Sequence, residues 1–240
     1  MGSTNKTIFG SMLYPSLFVL ILWGIKGYEI AFDISLAEFG LYPRSLKGTI
    51  GIVTAPLLHG SLKHLLANTF PLLILGTLCF YFYRSIAFQI FFWVYLTTNI
   101  WVWTAARESY HIGASGIIYG FESFLFFSGI FRKDTKLLAI SLLVVFLYGS
   151  TVWGVLPLQK GVSWESHLLG AVSGLIIAYS FRKEGPQRKK YEFEEEEEVD
   201  KLAIFEEAVI LEEIENNQTS TAEDIVINIE YKPTNRTSEN

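Results

Sequence analysis

The sequence has few cysteines and few charged residues. Cys79 is the single cysteine among 240 residues, so the chain can form no internal disulfide and has no cysteine-based metal site. Charged residues make up only 18% of the chain, whereas hydrophobic residues make up 50% and aromatic residues 15%. The mean hydropathy of +0.33 is high for a water-soluble protein. These values place the chain in the membrane class and say nothing about its redox compartment.

Charge is distributed unevenly along the chain. Residues 1–182 contain 12 Lys and Arg against 7 Asp and Glu, whereas residues 183–240 contain 7 against 17. The sequence therefore predicts a mildly basic membrane domain over residues 1–182 and an acidic tail over residues 183–240. Gly185-Pro186 ends the last helix. The high charge of the tail predicts that it is largely disordered.

Six apolar segments are long enough to cross a membrane. Each is close to the roughly 20 residues that span about 30 Å of hydrocarbon as a helix. The segments cover residues 8–25, 62–83, 86–106, 115–131, 137–154 and 164–181. They are too long and continuous for barrel strands, so the sequence predicts an all-α membrane protein with six transmembrane helices. The long connection over residues 27–63 is expected to contain short helices of its own at the membrane interface.

Basic residues in the short connections predict the orientation of these segments. Those on the side of the termini are Lys6, Arg84, Arg132, Lys133, Lys136 and the basic residues within 182–190. The short loops on the opposite side contain only Arg107 and Lys160. By the positive-inside rule, both termini are predicted to be cytoplasmic. Ser115 and His167, which lie at the starts of the fourth and sixth segments, are then expected near the exoplasmic surface.

Ser115 and His167 have the chemistry of a nucleophile and its base. Ser115 lies between Gly113 and Gly116, which permit a tight entry into the helix and close backbone approach. A serine in a transmembrane helix usually bonds to a carbonyl of the preceding turn. The N–H groups at a helix N-terminus, however, also suit a developing oxyanion. His167 either joins two helices by a hydrogen bond or accepts the Ser115 proton as a general base.

Glycines on the fourth and sixth segments predict that these two helices pack closely. Small residues at spacings of three and four let helix backbones approach each other in a membrane. The glycines are Gly113, Gly116 and Gly120 on the fourth segment and Gly170 and Gly174 on the sixth. Such packing would bring Ser115 and His167 within hydrogen-bond distance. Tyr119, one turn below Ser115, would then pack on the imidazole.

Polar residues also mark the second and fourth segments. His64 and Asn68 share one helix face, where they either hold helices together or donate hydrogen bonds to an oxyanion. His59 is either a loop anchor or a contact for water in the site. Glu122, two turns deeper than Ser115, is either protonated or bonded to another segment. His59 and His64 lack a same-face spacing and a nearby carboxylate, so no metal and no other cofactor is expected.

Jointly, these motifs resemble the rhomboid family of intramembrane serine proteases. They are His59-x4-His64-x3-Asn68, Gly113-Ala114-Ser115-Gly116 with Tyr119, and His167-x2-Gly170-x3-Gly174. The resemblance implies a six-helix rhomboid-like bundle and a Ser115–His167 dyad without a third acid. It also implies a water-filled cavity, with an oxyanion hole formed by the Ser115 N–H, His64 and Asn68. The chain departs from the family in the first loop, where Tyr42-Pro43-Arg44 replaces a Trp-Arg pair.

The expected function is that of a serine endopeptidase that cleaves single-span membrane proteins near the exoplasmic boundary. Its expected partners are these substrates and membrane lipids, with no nucleic acid, and the sequence leaves the oligomeric state open. The expected location is a bacterial inner membrane. One alternative is a non-catalytic rhomboid-like chaperone or trafficking factor, although such proteins typically lack the serine or the histidine. Another is a transporter or channel, which would show repeated halves, and the sequence has no such internal repeat.

Overall fold

The described part of the chain folds almost entirely into helices. A computed structural model describes residues 7–157, 162–187 and 204–205, and within them the one β-bridge pairs Leu41 with His111. The chain divides into two units, residues 1–188 and 189–240. Apart from residues 183–187 and 204–205, the predicted acidic tail lies outside the described residues.

The α-helices occur in the order that the apolar segments predict. They are α1 (Ile8–Ala31), α2 (Gly51–Thr54), α3 (Leu62–Phe82), α4 (Ala87–Ala105), α5 (Ser115–Arg132), α6 (Thr135–Tyr148) and α7 (Trp164–Ser180). Four 3₁₀ segments accompany them, at Ala37–Phe39, Lys47–Ile50, Ala55–Leu57 and Gly149–Val155. Three of these segments and α2 lie in the long first connection, which agrees with the expectation of short helices there.

Two helix boundaries differ from the sequence prediction by more than two residues. α1 extends to Ala31 because Lys26 and Glu29 pair on its last turns at 3.0 Å, and Glu29 also accepts the Leu36 N–H at 2.7 Å. α6 ends at Tyr148, and the chain continues as the 3₁₀ segment Gly149–Val155 instead of as the predicted helix to residue 154. Gly149 begins this change, which agrees with the low helix propensity of glycine.

By length and composition, two described helices are apolar enough to cross a membrane, namely α1 and α3. The helix α7 has only 17 residues. Polar residues buried inside the bundle also lie on α4, α5 and α7. These are Thr98, Asn99, Ser123, Ser128, Glu165, His167 and Ser173. An average of hydropathy along a helix counts such inward-facing groups together with the outward-facing apolar ones.

α5 is the centre of the bundle and packs on α3, α4, α6 and α7. Its contact with α7 is close because glycines face backbone across the interface. A Cβ atom at Gly170 would overlap the Gly116 carbonyl, and one at Gly174 would overlap the Gly120 carbonyl. The glycine-rich faces of α5 and α7 thus bring the two backbones into contact and hold the starts of both helices together.

The first connection is fastened to the end of α4 by Arg44. The Arg44 guanidinium donates to the Ala106 carbonyl at 2.8 Å and lies 3.5 Å from the Glu108 carboxylate. Its backbone N–H donates to the Trp103 carbonyl at 2.9 Å. Carbonyls in the last turn of a helix have no intrahelical donor, so Arg44 supplies a hydrogen bond to groups that would otherwise be unpaired. The Tyr42-Pro43-Arg44 sequence therefore anchors the connection through its arginine.

The opposite end of α5 is closed by a buried arginine. Arg132 donates to the carbonyls of Glu184 at 2.8 Å and Pro186 at 3.2 Å, and also to the Phe181 carbonyl. Its guanidinium lies 5.2 Å from the centre of the Tyr83 ring. Arg132 thus joins the end of α5 to the residues that follow α7.

Candidate active site

Ser115 and His167 meet where α5 and α7 begin. Ser115 is the first residue of α5, and His167 lies in the first turn of α7. The His167 Nε2 atom lies 2.9 Å from the Ser115 Oγ atom, which is hydrogen-bond distance. The backbones of the two helices are in contact at Gly116 and Gly170, close to the pair. This contact fixes the distance between the Ser115 and His167 side chains.

The second ring nitrogen of His167 is held by the main chain. Nδ1 lies 2.8 Å from the carbonyl oxygen of Gly154, in the 3₁₀ segment before α7. A carbonyl oxygen only accepts hydrogen bonds, so Nδ1 carries the proton and donates. In the neutral imidazole, Nε2 then has a lone pair directed at the Ser115 hydroxyl. The Gly154 carbonyl therefore selects the tautomer that a general base requires.

Tyr119 supports the imidazole from its face. The two rings are stacked, with centroids 4.3 Å apart and an angle of 9° between their planes. Gly154 packs against the same stack, because a Cβ atom there would overlap the Tyr119 hydroxyl and lie 3.2 Å from His167 Nδ1. Only a residue without a side chain allows the main chain this close. Tyr119 and Gly154 together confine the position of His167.

His64 and Asn68 face the turn that leads into α5. Gly113 adopts φ = +114°, a conformation that favours glycine, and its N–H donates to the Ala55 carbonyl at 2.9 Å. A Cβ atom at Gly113 would lie 2.6 Å from the His64 ring and 3.7 Å from the Asn68 Nδ2 atom. Asn68 is 4% exposed, and its Nδ2 has no hydrogen-bond partner among the described residues. A buried donor without a partner beside Ser115 is available to an incoming acceptor.

His59 lies behind the turn and has the contacts of a loop anchor. It is 2% exposed, and its Nε2 accepts the Ala114 N–H at 3.5 Å. Its carbonyl accepts from the Lys26 ammonium at 3.0 Å. Burial, followed by the nearby His64, lowers the pKa of His59 to about 4, so the ring is neutral and able to accept. The Nε2 atom and the carbonyl of His59 thus anchor the loop, whereas its buried Nδ1 has no partner among the described residues.

A cavity of about 1010 Å³ opens over the Ser115–His167 pair. The residues that line it nearest this pair are His64, Asn68, Ser115, Tyr119, Gly154 and His167. This volume is at the upper end of the range typical of ligand pockets and is large enough for several residues of a peptide. Within residues 7–157 and 162–187, no three His, Cys, Asp or Glu side chains are placed so that they could hold a metal ion.

Two groups near the pair were missed by the reasoning from sequence. The Gly154 carbonyl is one, and no sequence pattern marks a main-chain oxygen as a hydrogen-bond acceptor for a particular ring. His111 is the other, and it is 3% exposed and lines the cavity. The chain has four histidines, and His111 is the one that belongs to no recognised motif. An ionisable residue four positions before Ser115 was the available signal.

Comparisons with known proteins agree on the family. A family model described as Rhomboid domain matches residues 47–184, which is more than half of the chain. An uncharacterized protein of Mycobacterium tuberculosis is 35% identical over 204 residues, covering 79% of this chain and 78% of that protein. An uncharacterized protein of Mycobacterium leprae is 38% identical over 149 residues, covering 58% of each. Together with the helical fold, these matches show that the chain belongs to the rhomboid family.

Proposed function

We propose that this protein is an intramembrane serine endopeptidase in which Ser115 is the nucleophile and His167 is the base. The observation that carries the proposal is the 2.9 Å contact between Ser115 Oγ and His167 Nε2, at the floor of a cavity. The Gly154 carbonyl on Nδ1 supports it, because that contact leaves Nε2 as the basic nitrogen. A helix-packing histidine would not need this arrangement next to a cavity.

The first half of the reaction forms an acyl-enzyme. Ser115 Oγ attacks the carbonyl carbon of the scissile peptide bond while its proton moves to His167 Nε2. The imidazolium then donates this proton to the amide nitrogen, the C–N bond breaks, and the amine product leaves. The substrate acyl group remains as an ester on Ser115. The Nδ1–Gly154 hydrogen bond keeps the ring aligned through both proton transfers.

The negative charge that develops on the carbonyl oxygen falls next to donors that are already in place. As the first residue of α5, Ser115 has a backbone N–H without an intrahelical acceptor. The Asn68 amide nitrogen, which has no partner among the described residues, and the His64 ring lie beside Gly113, two residues from Ser115. Preorganised donors of this kind are worth about 10²- to 10³-fold each in rate. We assign Asn68, His64 and the Ser115 N–H to the oxyanion hole.

The second half of the reaction releases the acyl product. A water molecule from the cavity donates a proton to His167 Nε2 as its oxygen attacks the ester carbonyl. The proton then returns to Ser115 Oγ as the ester bond breaks, which restores the starting state. The reaction consumes one water and needs no oxidant, reductant or added cofactor. The size of the cavity supports a supply of water at this depth.

The proposed substrates are single-span membrane proteins cleaved near the exoplasmic boundary. We assign the membrane spans to α1, α3, α4, α5, α6 and α7, within a catalytic domain over residues 1–182 with a cytoplasmic tail over 183–240. Arg84 and Lys133 lie in connections at the end away from Ser115, and Lys183 follows α7 at the same end, which supports cytoplasmic termini. The mycobacterial relatives are bacterial proteins, which supports a location in a bacterial plasma membrane.

The test is cleavage of a single-span model substrate by the full-length protein reconstituted in lipid vesicles. We expect wild type to cleave, and Ser115→Ala and His167→Ala to lose at least about 10³-fold in rate. Ser123→Ala is the matched control on the same helix, since Ser123 donates to the Ala171 carbonyl at 2.6 Å, two turns from Ser115. A fluorophosphonate probe should label wild type and the control, but not Ser115→Ala.

The outcomes separate the proposal from its alternative. Cleavage that persists in Ser115→Ala or His167→Ala would contradict the assigned dyad. If wild type binds single-span proteins but cleaves none of a broad panel, and no probe labels Ser115, the non-catalytic chaperone would be the better interpretation. Labelling and cleavage that disappear together in both variants, and persist in Ser123→Ala, would support the peptidase.

A further inference from the structure

A second serine–histidine pair lies beside the first one. The His111 Nδ1 atom is 2.6 Å from the Ser163 Oγ atom, and both residues line the cavity. His111 lies four residues before Ser115, and Ser163 lies four residues before His167. The segment before and at the start of α5 therefore meets the start of α7 at two points. The α5 side supplies the serine in the first pair and the histidine in the second.

The direction of the hydrogen bonds in the second pair follows from their acceptors. His111 Nε2 lies 3.0 Å from the Arg107 carbonyl, which can only accept, so Nε2 carries the proton. Burial lowers the pKa of His111, which keeps the ring neutral. His111 Nδ1 therefore accepts the proton of the Ser163 hydroxyl. The Ser163 Oγ in turn accepts the Ser166 N–H at 3.4 Å, as the N-cap of α7. It also lies 2.6 Å from the Ser166 Oγ, whose hydroxyl therefore donates to it.

Both partners of this pair are held rigidly on their own sides. The His111 backbone forms the β-bridge to Leu41, with N–O distances of 2.8 and 3.0 Å. A second link joins the same two segments nearby, since Arg107 lies 3.3 Å from the Glu165 carboxylate and donates to the Val162 carbonyl at 2.8 Å. The start of α7 is thus tied to the segment that leads into Ser115.

We propose that His111 and Ser163 are positioning residues that set the alignment of the Ser115 hydroxyl with the His167 ring. This inference rests on the proposed function. The His111–Ser163 hydrogen bond fixes how the first turn of α7 sits against the entry to α5. A misplacement of about 1 Å between reacting groups costs on the order of 10²-fold in rate, so a contact this close to both groups controls the chemistry without touching the substrate.

The experiment must separate positioning from simple helix capping. Replacing a serine N-cap by glycine costs only a few tenths of a kcal/mol in other helices, but it removes the hydroxyl that donates to His111. We therefore compare Ser163→Gly, Ser163→Thr and His111→Ala in the full-length protein, reconstituted with the model substrate. Thr7→Gly is the matched control, because Thr7 caps α1 by accepting the Gly10 N–H at 3.3 Å and lies outside the site.

We expect kcat to fall about 10- to 100-fold in Ser163→Gly and in His111→Ala, with KM little changed. The double variant should be no slower than the slower single variant, because both changes remove the same bond. Ser163→Thr, which keeps the hydroxyl, should restore most of the rate. Fluorophosphonate labelling of Ser115 should slow in parallel with kcat. Thr7→Gly should keep the wild-type rate, and the melting temperature of Ser163→Gly should stay close to that of wild type.

Other results would overturn the inference. Full kcat in Ser163→Gly, while Ser115→Ala is inert, would refute positioning and leave the proposed function standing. Equal losses in Ser163→Thr and Ser163→Gly would show that the hydroxyl is not the determinant. Probe labelling at Ser163 in the Ser115→Ala variant would make Ser163 a nucleophile instead. If His111→Ala does not fold, Ser163→Gly alone decides the question. An active Ser115→Ala variant would defeat the proposed function itself.

Discussion

Two buried polar side chains at opposite ends of the helical bundle differ in how their hydrogen-bond donors are matched. Where α3, α5 and α7 begin, Asn68 is 4% exposed and its amide nitrogen has no partner among the described residues. Where α5 ends, Arg132 is 6% exposed, and its guanidinium donates to three carbonyls and to the Ser128 hydroxyl. The two side chains are buried to nearly the same extent. They differ in whether hydrogen-bond acceptors lie within reach of their donors.

This difference distinguishes a group that stabilises the fold from one that is available for chemistry. An unsatisfied buried donor costs about 1 to 3 kcal/mol, so a protein retains one at the expense of stability. At the Arg132 end, each of the three guanidinium nitrogens donates to an acceptor within the chain and contributes to the folded state. At the Asn68 end, the acceptor that would match the donor is the substrate oxygen of the proposed reaction. Changes at the two ends should therefore affect different measurements.

The largest effect on stability is expected from Arg132→Ala. The change leaves the carbonyls of Phe181, Glu184 and Pro186 without their donor, and we expect the free energy of unfolding to fall by about 3 to 5 kcal/mol. The remaining folded protein should keep its kcat. Chemical denaturation in detergent and cleavage assays on the same sample measure both quantities. Lys136→Ala, an exposed neighbour, should change stability by less than about 0.5 kcal/mol, and an equal loss there would contradict the assignment to Arg132.

Asn68→Ala should show the opposite behaviour. We expect the rate of cleavage to fall about 10²- to 10³-fold because one oxyanion donor is lost. The melting temperature should stay the same or rise, since the removed amide nitrogen is a buried donor with no partner among the described residues. Asn99→Ala is the matched control, because Asn99 donates to the Tyr95 carbonyl at 2.7 Å. It should lose about 1 kcal/mol of stability and keep its rate. If Asn99→Ala lost its rate of cleavage and Asn68→Ala kept it, the proposed difference between these two asparagines would be contradicted.

A smaller loss of rate is expected when the support of the base is displaced. In Gly154→Ala the new methyl group overlaps the Tyr119 hydroxyl, so the Gly154 carbonyl must move away from His167 Nδ1. We expect kcat to fall about 10- to 100-fold. The Gly154→Ala/Tyr119→Phe double variant should recover part of this loss, because the overlapping atom is gone. Gly24→Ala on α1, where a Cβ atom meets nothing within 4 Å, should leave the rate unchanged. Full activity in Gly154→Ala would rule out the carbonyl as a determinant.

A separate prediction concerns how the stability of the protein depends on pH, through the protonation of His59. Burial lowers the pKa of His59 from 6.5 to about 4, so between these values the unfolded chain takes up a proton that the folded chain does not. The contribution of His59 to the free energy of unfolding is therefore fully present above pH 6.5 and is lost as the pH falls towards 4. Thermal unfolding across this window should show a steeper pH dependence for wild type than for His59→Asn. Identical slopes would mean that His59 is not the group responsible.

Much of the fold follows from the apolar segments, and the exceptions have physical causes. The segment over residues 137–154 was predicted as one helix, but its apolar composition does not distinguish the α-helix that ends at Tyr148 from the 3₁₀ segment after it. The order of the helices and the close approach of α5 and α7 could be predicted, because glycine spacing is visible in the sequence. The contact on His167 Nδ1 could not, since it comes from a main-chain carbonyl that is placed by tertiary packing.

The Gly154 carbonyl has a consequence for how the proposed base responds to acid. A carboxylate partner, as in a Ser-His-Asp triad, titrates, and its hold on the ring weakens once it is protonated. A peptide oxygen has no such titration in the range where proteins are folded, so the bond on Nδ1 persists in acid. Within the proposed dyad, the proton taken up in acid therefore goes to the imidazole, because the partner of Nδ1 cannot accept one.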